Sequence, residues 1–296
     1  MRVLSSGKPT DCSSLLRVPR KTINIHVAFT SDVPMEFRNG INRLFQSMKI
    51  MEAIIALKVE EVTILTVRNL PHDKGGLIGV TPIEIGVGND IKHLDTIADK
   101  SVISFLLYVY EDFFEIHESK QQEVIMLHEF GHIREKMEFP DDLDLAKFKT
   151  HNREDLVFCV IDSFLAALTD CRLFYRQISL WGQRESVLLD ISYNRHDYEG
   201  YFTEKDKIID DFAGITEIIH LALMLVIPFC KSSDFESHKN SFIAFSKRLS
   251  FSDVAVRIGL EFAEKHGINF LTTGFFDLKL FFEDFVTVMR GFADLE

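Results

Sequence analysis

The first third of the chain changes its hydrophobic period several times. In INIHVAF, residues 23–29, Ile23, Ile25, Val27 and Phe29 alternate with smaller or polar neighbours, the pattern of a half-buried strand. SDVPMEF follows, with Ser31 or Asp32 placed as a cap and Pro34 in a first helical turn. Phe37, Ile41, Leu44, Phe45, Met48, Met51, Ile54 and Ile55 then recur at helical spacing, which predicts one long amphipathic helix. VEEVTILTV, residues 59–67, is rich in β-branched residues and reads as a second strand. GGLIGVTPIEIGVGND, residues 75–90, reads as a third. Its Pro82 has no N–H to give a ladder, so this strand is expected at a sheet edge. SVISFLLYVYEDF, residues 101–113, is a continuous apolar run, the mark of a central strand buried on both faces.

Beyond this point helical spacing takes over. A helix is expected from about 118 to 138, stopped by Pro140, then others over 153–178 and 205–229, the last ending near Pro228. Two or three more fill the tail, punctuated by KSSD, HG and TTG, while SYNRHDYEGYF, residues 192–202, reads as a loop. Strands thus precede an all-helical half, with the change near residues 138–152. The order predicts an α+β chain: a small twisted mixed sheet with an edge strand, then helices packed on it.

Composition narrows the function. Of 296 residues, 46% are hydrophobic and 26% charged, as in an ordinary globular protein, and the 27 phenylalanines suggest aromatic cores between helices. A net charge of −12 makes nucleic acid and anionic membrane surfaces poor partners. The first 21 residues are the exception: Arg2, Lys8, Arg17, Arg20 and Lys21 face a single acid, Asp11, and read as a flexible basic arm. No apolar segment follows Met1, and the longest apolar run, residues 218–230, contains His220 and Pro228 and is too short to span a bilayer. Cys12, Cys159, Cys171 and Cys230 form neither a disulfide framework nor a cysteine metal site. Reduced thiols and a cytoplasmic location are the expectation.

One stretch carries chemistry. EVIMLHEFGHIREK, residues 123–136, holds His128, Glu129 and His132 in the order H-E-x-x-H. On a helix, two histidines four apart share a face and can reach one ion. Glu129 lies about 100° around the axis, placed to hydrogen-bond a water on that ion rather than to bind it. Two neutral imidazoles and a carboxylate base are what metal-assisted hydrolysis requires. Val124, Ile125, Met126, Leu127, Phe130 and Ile133 bury the helix around the motif. Gly131 costs about 1 kcal/mol inside a helix, which suggests that something approaches that face closely.

LHEFGHI, with the order of elements upstream of it, resembles the zincin metallopeptidases in their compact, gluzincin-like (minigluzincin-type) form. The resemblance covers about residues 22–180 and leaves 181–296 as a helical region packed on that domain. It implies a bound zinc, a zinc-activated water with Glu129 as general base, and hydrolysis of peptide bonds. It also implies that a peptide or unfolded-protein substrate lies along the edge strand near residues 77–86. The alternative is a zincin-fold protein that binds metal or a partner without significant proteolysis.

A catalytic zinc needs a third protein ligand. Neither a third histidine at metzincin spacing nor the gluzincin pattern Glu-x-x-x-Asp on a downstream helix is present. The apolar helix over 153–178 embeds two carboxylates, Asp162 and Asp170, and a buried carboxylate is costly unless paired or bound to metal. Eight residues separate them, about 12 Å of helix, so both cannot hold one ion. Asp170 is preferred. The residues over which its side chain leans are Ala166 and Ala167, which permit close helix packing, whereas Asp162 leans over Phe158 and Cys159. Pairing with Arg172 or Arg176 is the competing explanation for either acid, and a carboxylate of the tail is the other source of a ligand. Tyr193, Tyr198, Tyr201 and His196 could stabilise an oxyanion but read as structural or solvated, and His151 and His220 as plain loop or core histidines.

Overall fold

The computed structural model describes residues 17–18, 21–22, 24–29, 33–57, 61–67, 78–85, 91–93, 102–109, 113–148, 156–203 and 211–293; for the strands it describes the backbone and the side chains of Phe29, Leu107 and Val109. The chain divides into two compact units, residues 1–141 and 142–296. The division falls inside the stretch where the hydrophobic pattern turns wholly helical.

In the first unit, β1 (Arg17–Val18) and β2 (Lys21–Thr22) pair antiparallel within what the sequence marks as a flexible basic arm; the rest of that arm lies outside the described residues. β3 (Asn24–Phe29), β4 (Glu61–Val67), β5 (Ile78–Ile85), β6 (Ile91–His93) and β7 (Val102–Val109) pair through their backbones in the order β3-β4-β7-β5-β6. β3, β4 and β7 are parallel, and β5 and β6 antiparallel. The edge placement of residues 77–86 is therefore corrected: β5 pairs with β7 over Ile78–Ile83 and with β6 over Ile83–Ile85. Pro82 still has its physical explanation: among the described residues the pairing with β6 begins one residue past it, at Ile83, so no described strand needs its missing N–H on that side.

The single long helix expected after residue 31 is two, α1 (Met35–Leu44) and α2 (Met48–Ala56), with Ser47 extended between them. The apolar stripe runs through both, so Phe37, Ile41, Leu44, Ile50, Met51 and Ile54 all reach the same buried cluster and the spacing conceals the break. α3 (Phe113–Ile116) and α4 (Ser119–Glu138) follow. Phe114 stands edge-on to Phe37 and fills the space above Gly40, where a Cβ would come within 2.8 Å of its ring.

The fold class is corrected as a whole. In place of an α+β chain led by a zincin-like, sheet-bearing subdomain, the residues described with their side chains are 81% helical and define no sheet. The physical reason lies in what fills the core. Among the described side chains, helix-borne Phe, Ile, Leu and Met are the majority of both buried clusters, with Leu107 and Val109 from the strands beside them.

The second unit is built from α5 (Leu156–Ser179), α6 (Arg184–Thr203), α7 (Asp211–Leu225), α8 (Phe235–Arg248), α9 (Asp253–Ala263), α10 (Asn269–Thr273) and α11 (Leu278–Ala293). Val226 and a short turn over Ile227–Phe229 end the apolar run expected as one helix to 229, with Pro228 supplying the stop. α7 is buried on nearly every side and packs against α5 and α9. Phe164, Phe262, Phe281 and Phe285 meet edge to face around one end of this core, the aromatic packing that the phenylalanine content suggested. Residues 192–202, expected as a loop, lie within α6. Their sequence is polar all round, and the helix is decided by contacts distant in the chain: Arg195 lies over the Phe245 ring, Arg248 pairs with Glu199 at 2.7 Å, and Tyr198 packs on the core. Among the described residues no helix is long and apolar enough to cross a membrane.

Gly259 fixes how closely α7 and α9 approach. A Cβ there would meet Ile218 Cγ2 at 2.6 Å and the Ile215 carbonyl oxygen at 3.1 Å. Overpacking costs roughly 1–3 kcal/mol, against the roughly 1 kcal/mol that alanine gains in helix propensity. Gly259→Ala is expected to lower the urea midpoint, whereas Gly291→Ala, in open space on α11, leaves it unchanged or raises it.

Candidate metal centre

α4 displays two opposed faces. Met126, Phe130, Ile133 and Met137 point into the first unit's core beside α1 and α2, and Phe130 lies edge-on to Phe45 at 6.2 Å between ring centroids. The helix is fixed at its start by buried Gln122, whose Nε2 donates to the His117 carbonyl at 2.6 Å. Ser47 Oγ donates to Glu123, which also faces Lys49 Nζ at 3.4 Å, so the N-terminus of α2 is tied to α4. α4 also packs against β5.

The opposite face carries His128 and His132, both half-buried. Their Nε2 atoms lie 3.1 Å apart, and the rings meet nearly at right angles, 78° between planes. Two imidazole nitrogens on a tetrahedral ion at about 2.0–2.1 Å from each would stand about 3.3 Å apart. The pair thus has the donor type and spacing that a divalent ion such as zinc takes. Glu129 is half-buried and next in sequence, off this line and clear of the apolar core. Gly131 is buried.

One acid on this face escapes a reading by composition. Glu135 is 4% exposed and places Oε2 3.9 Å from Nδ1 of His132, on the side of the ring away from His128. The signal was its spacing: three residues beyond His132 and seven beyond His128, the same helical stripe.

In the second unit, Asp162 and Asp170 are both half-buried on α5. Arg172 donates to the Leu143 carbonyl at 2.8 Å and Arg176 to Asp142, so both bases that competed for the α5 acids have partners at the start of this unit. The Asp170 carboxylate acts on three neighbours. Burial pushes the Cys171 thiol well up, and Cys230 and Asp170 add to it. Burial, with Glu217 and Asp170, pushes Tyr198 up to about 12, which keeps its phenol a proton donor. His220 is held down by burial, with Asp170 opposing, and its Nδ1 lies 2.9 Å from Ser163 Oγ, a satisfied core histidine. His196 is exposed and Tyr193 half-buried on α6; Cys12, His151 and the side chain of Tyr201 lie outside the described residues. Cys171 is buried, and Cys159 and Cys230 are half-buried.

No family model matches the chain, and neither the curated proteins nor the solved structures compared with it include a match.

His220 gives this unit a pH dependence of known sign. Its pKa is lower folded than unfolded, so below about 6.5 the unfolded chain binds a proton that the folded chain refuses, and stability falls with pH. Urea unfolding at pH 7 and pH 5.5 is expected to show a smaller acid loss for His220→Gln than for the unsubstituted protein.

Proposed function

We propose that the protein is a zinc-dependent peptidase in which His128 and His132 hold the ion and Glu129 is the general base. The observation that carries this reading is the 3.1 Å approach of the two Nε2 atoms on a helix whose next residue after the first histidine is a glutamate. We assign Asp170, the acid that the sequence favours on α5, as the third ligand beside His128 and His132. Three neutral or anionic donors leave a position open, as a catalytic zinc site requires. When bound, the ion acts as a Lewis acid that acidifies a water and polarises the scissile carbonyl.

The remaining work belongs to the chain. Glu129 accepts the proton of the attacking water and passes it to the departing amine, which leaves neutral. The substrate class we propose is a peptide or an unfolded protein, whose extended backbone presents the scissile carbonyl to the site.

Metal analysis of the purified protein is expected to give about one zinc per chain, lost in His128→Ala and in His132→Ala. Asp170→Asn should weaken zinc at least tenfold, while Asp162→Asn alters stability and leaves zinc in place. A native protein that takes up no zinc at neutral pH overturns the reading.

Glu129→Gln should retain zinc and lose hydrolysis of an unstructured protein by several orders of magnitude. Equal cleavage by the variant rejects the base. A zinc-loaded protein that cleaves nothing across a broad peptide library moves the function to metal-dependent binding.

A further inference from the structure

We propose that Glu135 is the positioning residue of the site, holding His132 as its Nδ1–H tautomer so that the bare Nε2 faces the ion. The inference deepens the metal-site reading and rests on it for its affinity arm; its tautomer arm does not.

The two ring nitrogens of His132 have different surroundings. Nε2 faces Nε2 of His128 at 3.1 Å, and Nδ1 faces the Glu135 carboxylate at 3.9 Å. A neutral imidazole carries one proton, and only the other nitrogen has a lone pair to give. Free histidine divides between both forms, so part of an unassisted site presents an N–H to the metal. A carboxylate beside Nδ1 favours the proton there, and it also makes the lone pair at Nε2 more basic. At 3.9 Å the contact is electrostatic, and a small turn of the ring or the carboxylate closes it to a hydrogen bond.

Burial supports a role beyond a surface pair. The neighbouring acid on α4, Glu138, pairs with Arg134 at 2.8 Å near solvent, as helix-surface charges do. Glu135 is 4% exposed, where a carboxylate is costly unless it faces protons or positive charge. A bound divalent ion places positive charge on the imidazole next to it, the state in which an anion at Nδ1 is most favourable.

The location on the ligand helix also matters. Glu135 moves rigidly with His132, three residues and one turn away, so the alignment does not depend on a loop. Aspartate at this position is shorter by one methylene and reaches less far, while glutamine keeps the shape and removes the charge.

The test uses the full chain with Glu135→Gln, Glu135→Asp and Glu135→Ala. Zinc affinity is read by chelator competition at pH 7.5, and the His132 tautomer by nitrogen-15 NMR of metal-free, histidine-labelled protein, assigned with His132→Gln. The expected result is that metal-free unsubstituted protein has His132 protonated at Nδ1, that Glu135→Gln shifts it toward Nε2–H, and that zinc affinity falls 10- to 100-fold. Glu135→Asp should restore part of both. If Glu135→Gln alters affinity while the His132 tautomer is unchanged, Glu135 is structural or itself a ligand and the proposal fails. If His132 is already Nε2–H in the unsubstituted protein, it also fails. Should the unsubstituted protein bind no zinc, the functional reading falls alone, because the tautomer shift still decides the role of Glu135.

Discussion

Two imidazole nitrogens facing each other at 3.1 Å impose the constraint on which the site depends. Both cannot be protonated and charged, since like charges at that distance repel strongly in a half-buried setting. Either one donates its proton to the other, or both lone pairs turn to a shared cation. The helix enforces the choice. Its core-facing stripe, Met126, Phe130, Ile133 and Met137, locks the rotation of α4, and residues 128 and 132 follow on the other side whatever they bind. Packing on one face therefore determines which side chains meet on the other.

The same rotation selects which acids take part. Glu129 is one residue past His128 and turns off the line of the two histidines, which is why the proposed function gives it the base's part rather than a ligand's. Glu135 is three past His132 and returns to that line, so its carboxylate reaches the outer nitrogen of the ring. Glu138 turns outward and pairs with Arg134. Three glutamates on one helix thus acquire three roles from the 100° step between residues.

What the sequence makes legible is what depends on local spacing. The motif helix is expected over 118–138 and found over Ser119–Glu138, because its apolar positions and Pro140 are local signals. The pair His128 and His132 follows from the same spacing. Features set by distant contacts are hidden. The break at Ser47 interrupts a stripe that continues unchanged on both sides. The helix through residues 192–202 is held by Phe245, Arg248 and the core, none of which its own polar sequence announces. Pro82 reports a missing donor on one side of a strand but not how far a neighbour extends on the other, which is why β5 lies inside the strand order.

The fold class was the larger misreading, and its cause is instructive. The strand stretches fall where their own patterns place them; what the motif does not report is which residues fill the cores around it. Here Phe, Ile and Leu at helical spacing supply the described cores, so the motif sits among helices whose faces were individually readable. Glu135 shows the converse limit. A charged residue on a helix is ordinarily placed on the solvated face, and only the burial of its side chain, together with the direction of a histidine ring, distinguishes it from Glu138, three positions along the same helix. A motif sets which side chains share a face; the surrounding packing sets which neighbours they meet there.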